Sequence, residues 1–229
     1  MPTRTIISYD DTTNDRDALM LGRVLAEAGS HLTLVYVRHA TQTRPDREQL
    51  EEHEAHNLLE RGAQLLGDLE VDHRVVVSAS TAEGLKSLAE QEHADVIVFG
   101  SDYRTAAGHV ALQHSTQALL EGSRAAIAIA PAAYSTAHVP DIHSIGVLAQ
   151  PGDDAAIETA RELGEALGAS LTRDERHVGL LVVGSRLEAP EGRVMITSQA
   201  QNEIENATVP VLVVARGVPV RFAVPATVS

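Results

Sequence analysis

The stretch Ala94-Asp-Val-Ile-Val-Phe-Gly-Ser-Asp-Tyr-Arg-Thr-Ala-Ala-Gly-His-Val-Ala-Leu-Gln-His-Ser-Thr-Gln-Ala-Leu-Leu120 decides how the rest of the chain is read. Val96 to Phe99 is an apolar run that stops at Gly100-Ser101. A loop of small and polar residues follows, and helical spacing then resumes over Val110 to Leu120. Strand, short loop, helix is the pattern of a turn able to hold an anion, because unpaired N–H groups at a helix start point toward it.

Outward from this unit the same alternation continues. Upstream, Thr5–Tyr9 reads as a buried strand, and Asp10-Asp-Thr-Thr-Asn-Asp15 is a polar turn in which Asn14 or Asp15 could cap the next helix. Ala18, Leu19, Leu21, Val24, Leu25 and Ala28 recur at helical spacing up to Gly29. Strands are expected at Leu32–Val37 and Val71–Val77, with helices over 48–66 and 82–92. Downstream, Ala125–Ala130 is a fifth strand ending at Pro131. Near-continuous apolar strands alternating with amphipathic helices predict a parallel sheet covered on both faces.

The second half repeats the first. Ile6 aligns with Ile145 and Gly29 with Gly168 at an offset of 139, whereas Gly100-Ser101 and Gly108 align with Gly184-Ser185 and Gly192 at an offset of 84. The offsets differ by 55, so the second copy lacks about 55 residues between Thr172 and the strand Val178–Val183. The remnant Arg173–His177 is too short to replace the missing strand and helices. Internal repetition is a stronger fold signal than local propensity. The expected organisation is a complete α/β domain over 1–131, a linker over 132–141, a truncated repeat over 142–217 and a tail over 218–229.

With its Val-Phe-Gly-Ser turn and this order of elements, the chain resembles the universal stress protein family in a tandem arrangement. The resemblance covers 4–131 fully and 142–216 with the deletion. It implies a flavodoxin-like parallel sheet, of the adenine nucleotide alpha hydrolase-like type. For members that bind ATP it implies an acidic residue after strand one and Gly-x2-Gly-x9-Gly-[Ser/Thr] after strand four. Here Asp10 takes the acidic place and Gly100 the first glycine. Tyr103 stands at the second, and Gln113 or His114 at the third, with Ser115 at the Ser/Thr place. The second copy has Gly184, then Leu187 and Thr197 where glycines would stand, and retains Ser198. A phosphate loop uses glycine for positive φ and close backbone approach, so the motif is degraded in both copies. The candidate ligand-contacting set is Asp10, Val37, Phe99, Gly100, Tyr103, Gly108, His114, Ser115 and Thr116, with ATP or AMP as the implied ligand. Each has a bland alternative: Asp10 as a turn residue, Gly100 and Gly184 as strand-ending glycines, Ser115 and Ser198 as helix caps.

Composition narrows the function classes. A net charge of −14 argues against nucleic acid and anionic membranes as partners. Cysteine is absent, which removes disulfide, thiolate-metal and thiol chemistry. Aromatics make up 3% and include no Trp, so a base-stacking pocket is not expected. No apolar run reaches a membrane span, and Met1–Ile7 lacks a signal-peptide core, which makes a cytoplasmic protein the expectation. No catalytic motif is found, so a non-catalytic regulator is expected over an enzyme, with a weak ATP- or AMP-binding regulator acting through the first repeat, or a ligand-free protein-interaction module, as the alternatives. His53 and His56 share a helix face but lack further ligands, and no metal site is assigned. Ala126–Ala130 and Val211–Ala215, the last strands of each copy, are candidates to pair with each other inside one chain. A homodimer is the other candidate assembly, and the tail, with Val220, Phe222 and Val224, is expected to cover an edge or reach a partner.

Overall fold

The computed structural model describes residues 2–39, 45–136, 142–172 and 178–223. In chain order the elements are β1 (Arg4–Ser8), α1 (Thr13–Glu27), β2 (His31–His39), α2 (Pro45–Leu65), β3 (Val71–Ser78), α3 (Thr81–Glu92), β4 (Val96–Gly100), α4 (His114–Leu119) and β5 (Ala126–Ala130). The second half contributes β6 (Ser144–Leu148), α5 (Ala155–Leu167), β7 (Ser170–Thr172), β8 (Leu180–Gly184), α6 (Ser198–Glu205) and β9 (Val211–Val214). All nine strands join one sheet in the order β3-β2-β1-β4-β5-β9-β8-β6-β7. Every pair is parallel except β5–β9, which runs antiparallel with Ile127 opposite Val213 and Ile129 opposite Val211. Each final strand is therefore interior, and β3 and β7 form the outer edges.

From the β5–β9 seam outward, β5-β4-β1-β2 on one side mirrors β9-β8-β6-β7 on the other; β3 has no counterpart among the described residues. Arg173–His177 lie outside the described residues, as do 137–141 of the expected linker and Val224 of the tail.

Strand alternation divides the core between the two faces. Ile7, Val96, Val98 and Leu212 pack with α1, α2 and α5, while Ile6, Ile97, Phe99, Ile127 and Val213 pack with α3, α4 and α6. β5 shows the rule residue by residue: Ala126, Ala128 and Ala130 face the first layer, Ile127 and Ile129 the second. The tail runs over α5, where the Val220 N–H donates to Thr159 Oγ1 (2.9 Å) and the Phe222 N–H to Glu162 (3.1 Å). Thr3 Oγ1 then donates to the Arg221 carbonyl. Val220 and Phe222 are buried in the first layer, so this segment closes a face of the sheet rather than an edge.

Two local expectations are corrected. The first helix is capped by Thr12, not Asn14 or Asp15; Asp15 instead accepts the Thr12 N–H from inside the first turn (2.9 Å). The fourth helix starts at His114 rather than Val110. The N–H groups of Val110 and Ala111 are taken by Ala207 O (3.0 Å) and Ser101 Oγ (3.2 Å), which holds this stretch extended.

Candidate functional site

Strand order reverses between β1 and β4: β1 leads outward to β2 and β4 outward to β5. At such a switch point the loops after the two strands diverge and leave a crevice beyond their carboxyl ends. A cleft of about 910 Å³ lies there. Ser8 at the end of β1 and residues 9–15 after it, Tyr36, Val37 and His39 from β2, and Ser80 to Ala82 at the start of α3 line it. Asp102, Tyr103, Gln113, His114, Ser115 and Ala118 close it from the β4–α4 side.

Of the residues expected from sequence, Asp10, Val37, Tyr103, His114 and Ser115 meet in this cleft. Gly100 lies behind it and has a packing role: a Cβ there would overlap the Asn14 carbonyl oxygen at the start of α1. Phe99 is a core residue, and Thr116 is fully buried. Gly108, at φ +80°, sits at the far end of the loop, where its N–H bonds the Ala132 carbonyl (2.7 Å). Neither serine caps its helix; the N-caps are Gln113 and Thr197, and the Thr197 hydroxyl accepts the Ala200 N–H (3.0 Å). His56 bonds the Glu52 carbonyl (2.8 Å), and among the described residues no cluster of three His, Asp or Glu could hold a metal.

Along the loop from Asp102 to Ala111, several N–H groups bond back to the protein. The Asp102 N–H goes to Ala111 O (3.0 Å), Arg104 to Asp102 Oδ1 (2.9 Å), Thr105 to Asp102 O (3.0 Å) and His109 to Ala106 O (3.1 Å). Those of Gly108, Val110 and Ala111 are taken as described above. At the mouth of the turn, Gln113 Nε2 donates to the carbonyls of Gly100 (2.9 Å) and Ser101 (3.3 Å), and Asn14 Nδ2 also donates to Ser101 O. These N–H groups between Asp102 and Ala111 are engaged in holding the loop together, whereas Gln113, the N-cap of α4, makes no side-chain bond to the helix-start N–H groups beside the cleft.

The second half repeats this wiring 84 residues on. Ser101 Oγ donates to Ala130 O and Ser185 Oγ to Val214 O, both at 2.7 Å. Ser101 Oγ accepts the Ala111 N–H, as Ser185 Oγ accepts that of Met195 (3.1 Å). The Gly192 N–H reaches Arg216 O (2.8 Å), as Gly108 reaches Ala132. Val110 N–H bonds Ala207 O, and Val194 N–H bonds Ser123 O (2.8 Å), so each loop crosses to the other half. Ser101 and Ser185, and Gly108 and Gly192, thus make matching hydrogen bonds in the two halves.

The cleft is acidic. Asp10, Asp11, Asp15 and Asp102 line it, with His39 and His114 but no lysine or arginine among its described lining residues. Burial pushes the Asp10 and Asp15 carboxyls up, against a downward pull from His39 on Asp10 and from backbone N–H donors on Asp15. Asp11 goes the other way: hydrogen bonds from Arg61 and Tyr9 hold its carboxyl low. Those contacts, Arg61 Nη2 at 2.9 Å and Tyr9 Oη at 2.9 Å, also fix Asp11 at φ +58°, a conformation unusual for a residue with a Cβ. Tyr103 is 70% exposed at the cleft mouth, with the Arg104 guanidinium 4.9 Å from its ring centroid. Asp11, Tyr36 and His39 were not singled out in the sequence, and Gln113 was named there only as a replacement for the third glycine. Their signals were the acidic turn after the first strand and the polar residues at the end of the second.

The universal stress protein family model matches residues 1–131, and the chain belongs to that family. A universal stress protein from Archaeoglobus fulgidus DSM 4304 shares the fold at a TM-score of 0.69 and 14% identity, with 93% of this chain and 98% of that one covered. A Pseudomonas aeruginosa UCBPP-PA14 protein assigned to the same family superposes at 0.65 and 13% identity, covering 94% of each chain. A search of curated proteins finds no match to the sequence. Among the described residues no helix is long and apolar enough to cross a membrane.

Proposed function

We propose that the chain is a non-catalytic stress-response regulator whose β4–α4 loop has exchanged triphosphate binding for a structural role. The observation that carries this reading is the engagement of the loop N–H groups, of Asp102, Gly108, Val110 and Ala111 above all. The acidic lining acts in the same direction, since a triphosphate would meet four aspartates, and the arginine beside them, Arg61, is already paired with Asp11 (2.9 Å). On this reading the two halves are tandem repeats. They form a pseudo-dimer through β5 and β9, and the truncated second repeat serves as an internal partner in a cytoplasmic protein.

A second reading keeps the cleft as a weak site for AMP. It is favoured by one observation, the position of Asp10 at the β1 end of an open cleft of about 910 Å³. Thermal shift with ATP, ADP and AMP, paired with a turnover assay on labelled ATP, separates the readings. The first predicts no shift at millimolar ATP and no turnover. A saturable shift with AMP alone supports the second, and one with ATP or measurable turnover overturns both.

A further inference from the structure

A smaller pocket lies on the other side of α1, away from the cleft. Its floor and walls are Leu19 and Met20 of α1 with Leu65 and Leu66 at the end of α2. Arg16 and Arg23 stand at its rim, and Ser135 and Thr136 close the far side. Seven residues along α1 separate the two arginines, which puts them two turns apart on one face, roughly 10 Å along the axis.

Three features mark this pocket out. The turn that forms its far wall is pinned by a buried carboxylate: Asp17 accepts the N–H groups of Ala133 (2.8 Å) and Ser135 (2.7 Å) and holds Ala133 at φ +63°. Leu65 is 51% exposed beside it, one of few large apolar side chains left open to water. The cations are lightly committed. Arg16 makes no ion pair among the described residues; its nearby carboxylate, Asp11, is paired with Arg61 (2.9 Å). Arg23 has only a 3.8 Å contact with Glu27, both side chains half exposed, a pair of the kind worth little in water.

We propose that this pocket binds a small amphipathic carboxylate, its short apolar body on Leu19, Met20, Leu65 and Leu66 and its charge on Arg16 and Arg23. Arginine presents a planar donor fork that matches a carboxylate, and the Ser135 hydroxyl adds a donor. The pocket volume of about 210 Å³ keeps the ligand small, since sites for drug-sized molecules run about 300–1,000 Å³. On a chain of net charge −14, two arginines beside exposed apolar surface make this a local exception to a field that repels anions.

The test is a titration of the full chain with hexanoate, hexanol and hexylamine, read by calorimetry and by amide shifts of residues 16–23 and 135–136. Hexanoate is expected to bind saturably, at least about fivefold tighter than either analogue, because only it meets the arginine forks. Arg16→Gln with Arg23→Gln should remove that preference, and Leu65→Ser, at an exposed site where folding is little affected, should weaken hexanoate severalfold. Equal binding of hexanol, absence of saturation with hexanoate, or affinity unchanged in these variants overturns the proposal.

Discussion

Gly100 and Gly184 hold equivalent places at the ends of β4 and β8, yet they meet different neighbours. A Cβ on Gly100 would run into the Asn14 backbone, whereas one on Gly184 would meet Ala156 Cβ at an ordinary 3.4 Å. Gly100→Ala should therefore cost about 1–3 kcal/mol through overpacking against backbone that cannot yield. Gly184→Ala should stay below about 1 kcal/mol, so calorimetry should separate two substitutions that look the same in sequence. At the cleft, Asp10 gives a pH-dependent prediction. Burial raises its carboxyl, so the fold favours the protonated form, and stability linked to this group is lost as pH rises through its folded pKa. Asp10→Asn removes the charge that the fold disfavours. The variant should melt higher than the parent at pH 7, and the difference should shrink as pH falls through the raised folded pKa and be gone below the ordinary carboxylate value of about 3.9.

Among the elements, the β4–α4 loop shows where sequence reading succeeded and where it stopped. The alternation of strands and helices was legible because buried parallel strands are near-continuous apolar runs, as in Val96–Phe99. The two repeat offsets, 139 and 84, predict that the second half repeats β-α and β-α-β, while the mirrored strand order is seen only in the sheet itself. The start of α4 was misread because Leu112 stands seven residues before Leu119, at helical spacing, while the Ala207 carbonyl that draws the Val110 N–H away lies 97 positions along the chain. The cleft lining was partly legible: Asp10 and Tyr103 could be placed by motif, but Asp11 and His39 join it only through the way β1 and β2 lie side by side. Ser101 tests the structural role of the loop. Its buried hydroxyl donates to Ala130 O and accepts the Ala111 N–H. Ser101→Ala leaves both groups without that partner and should cost about 1–3 kcal/mol in denaturant unfolding. Ser185→Ala should cost a similar amount, because Ser185 makes the same two bonds to Val214 and Met195.

For the whole molecule, the β5–β9 pairing and the crossed loops bind the halves into a single sheet with shared cores on both faces. The antiparallel seam leaves neither final strand as an open edge, which removes the aggregation liability that apolar Ala126–Ala130 would otherwise carry. Each half also depends on the other for a loop contact, Val110 with Ala207 and Val194 with Ser123. A structural clamp and a phosphate cradle differ in how the loop after β4 exchanges its amide hydrogens. The amides of Asp102, Gly108, Val110 and Ala111 should be protected in the ligand-free protein to a degree similar to those of Arg186, Gly192, Val194 and Met195. Millimolar magnesium-ATP should leave that protection unchanged. Fast exchange of the first set in the free protein, slowing when ATP is added, would instead mark the loop as a phosphate cradle.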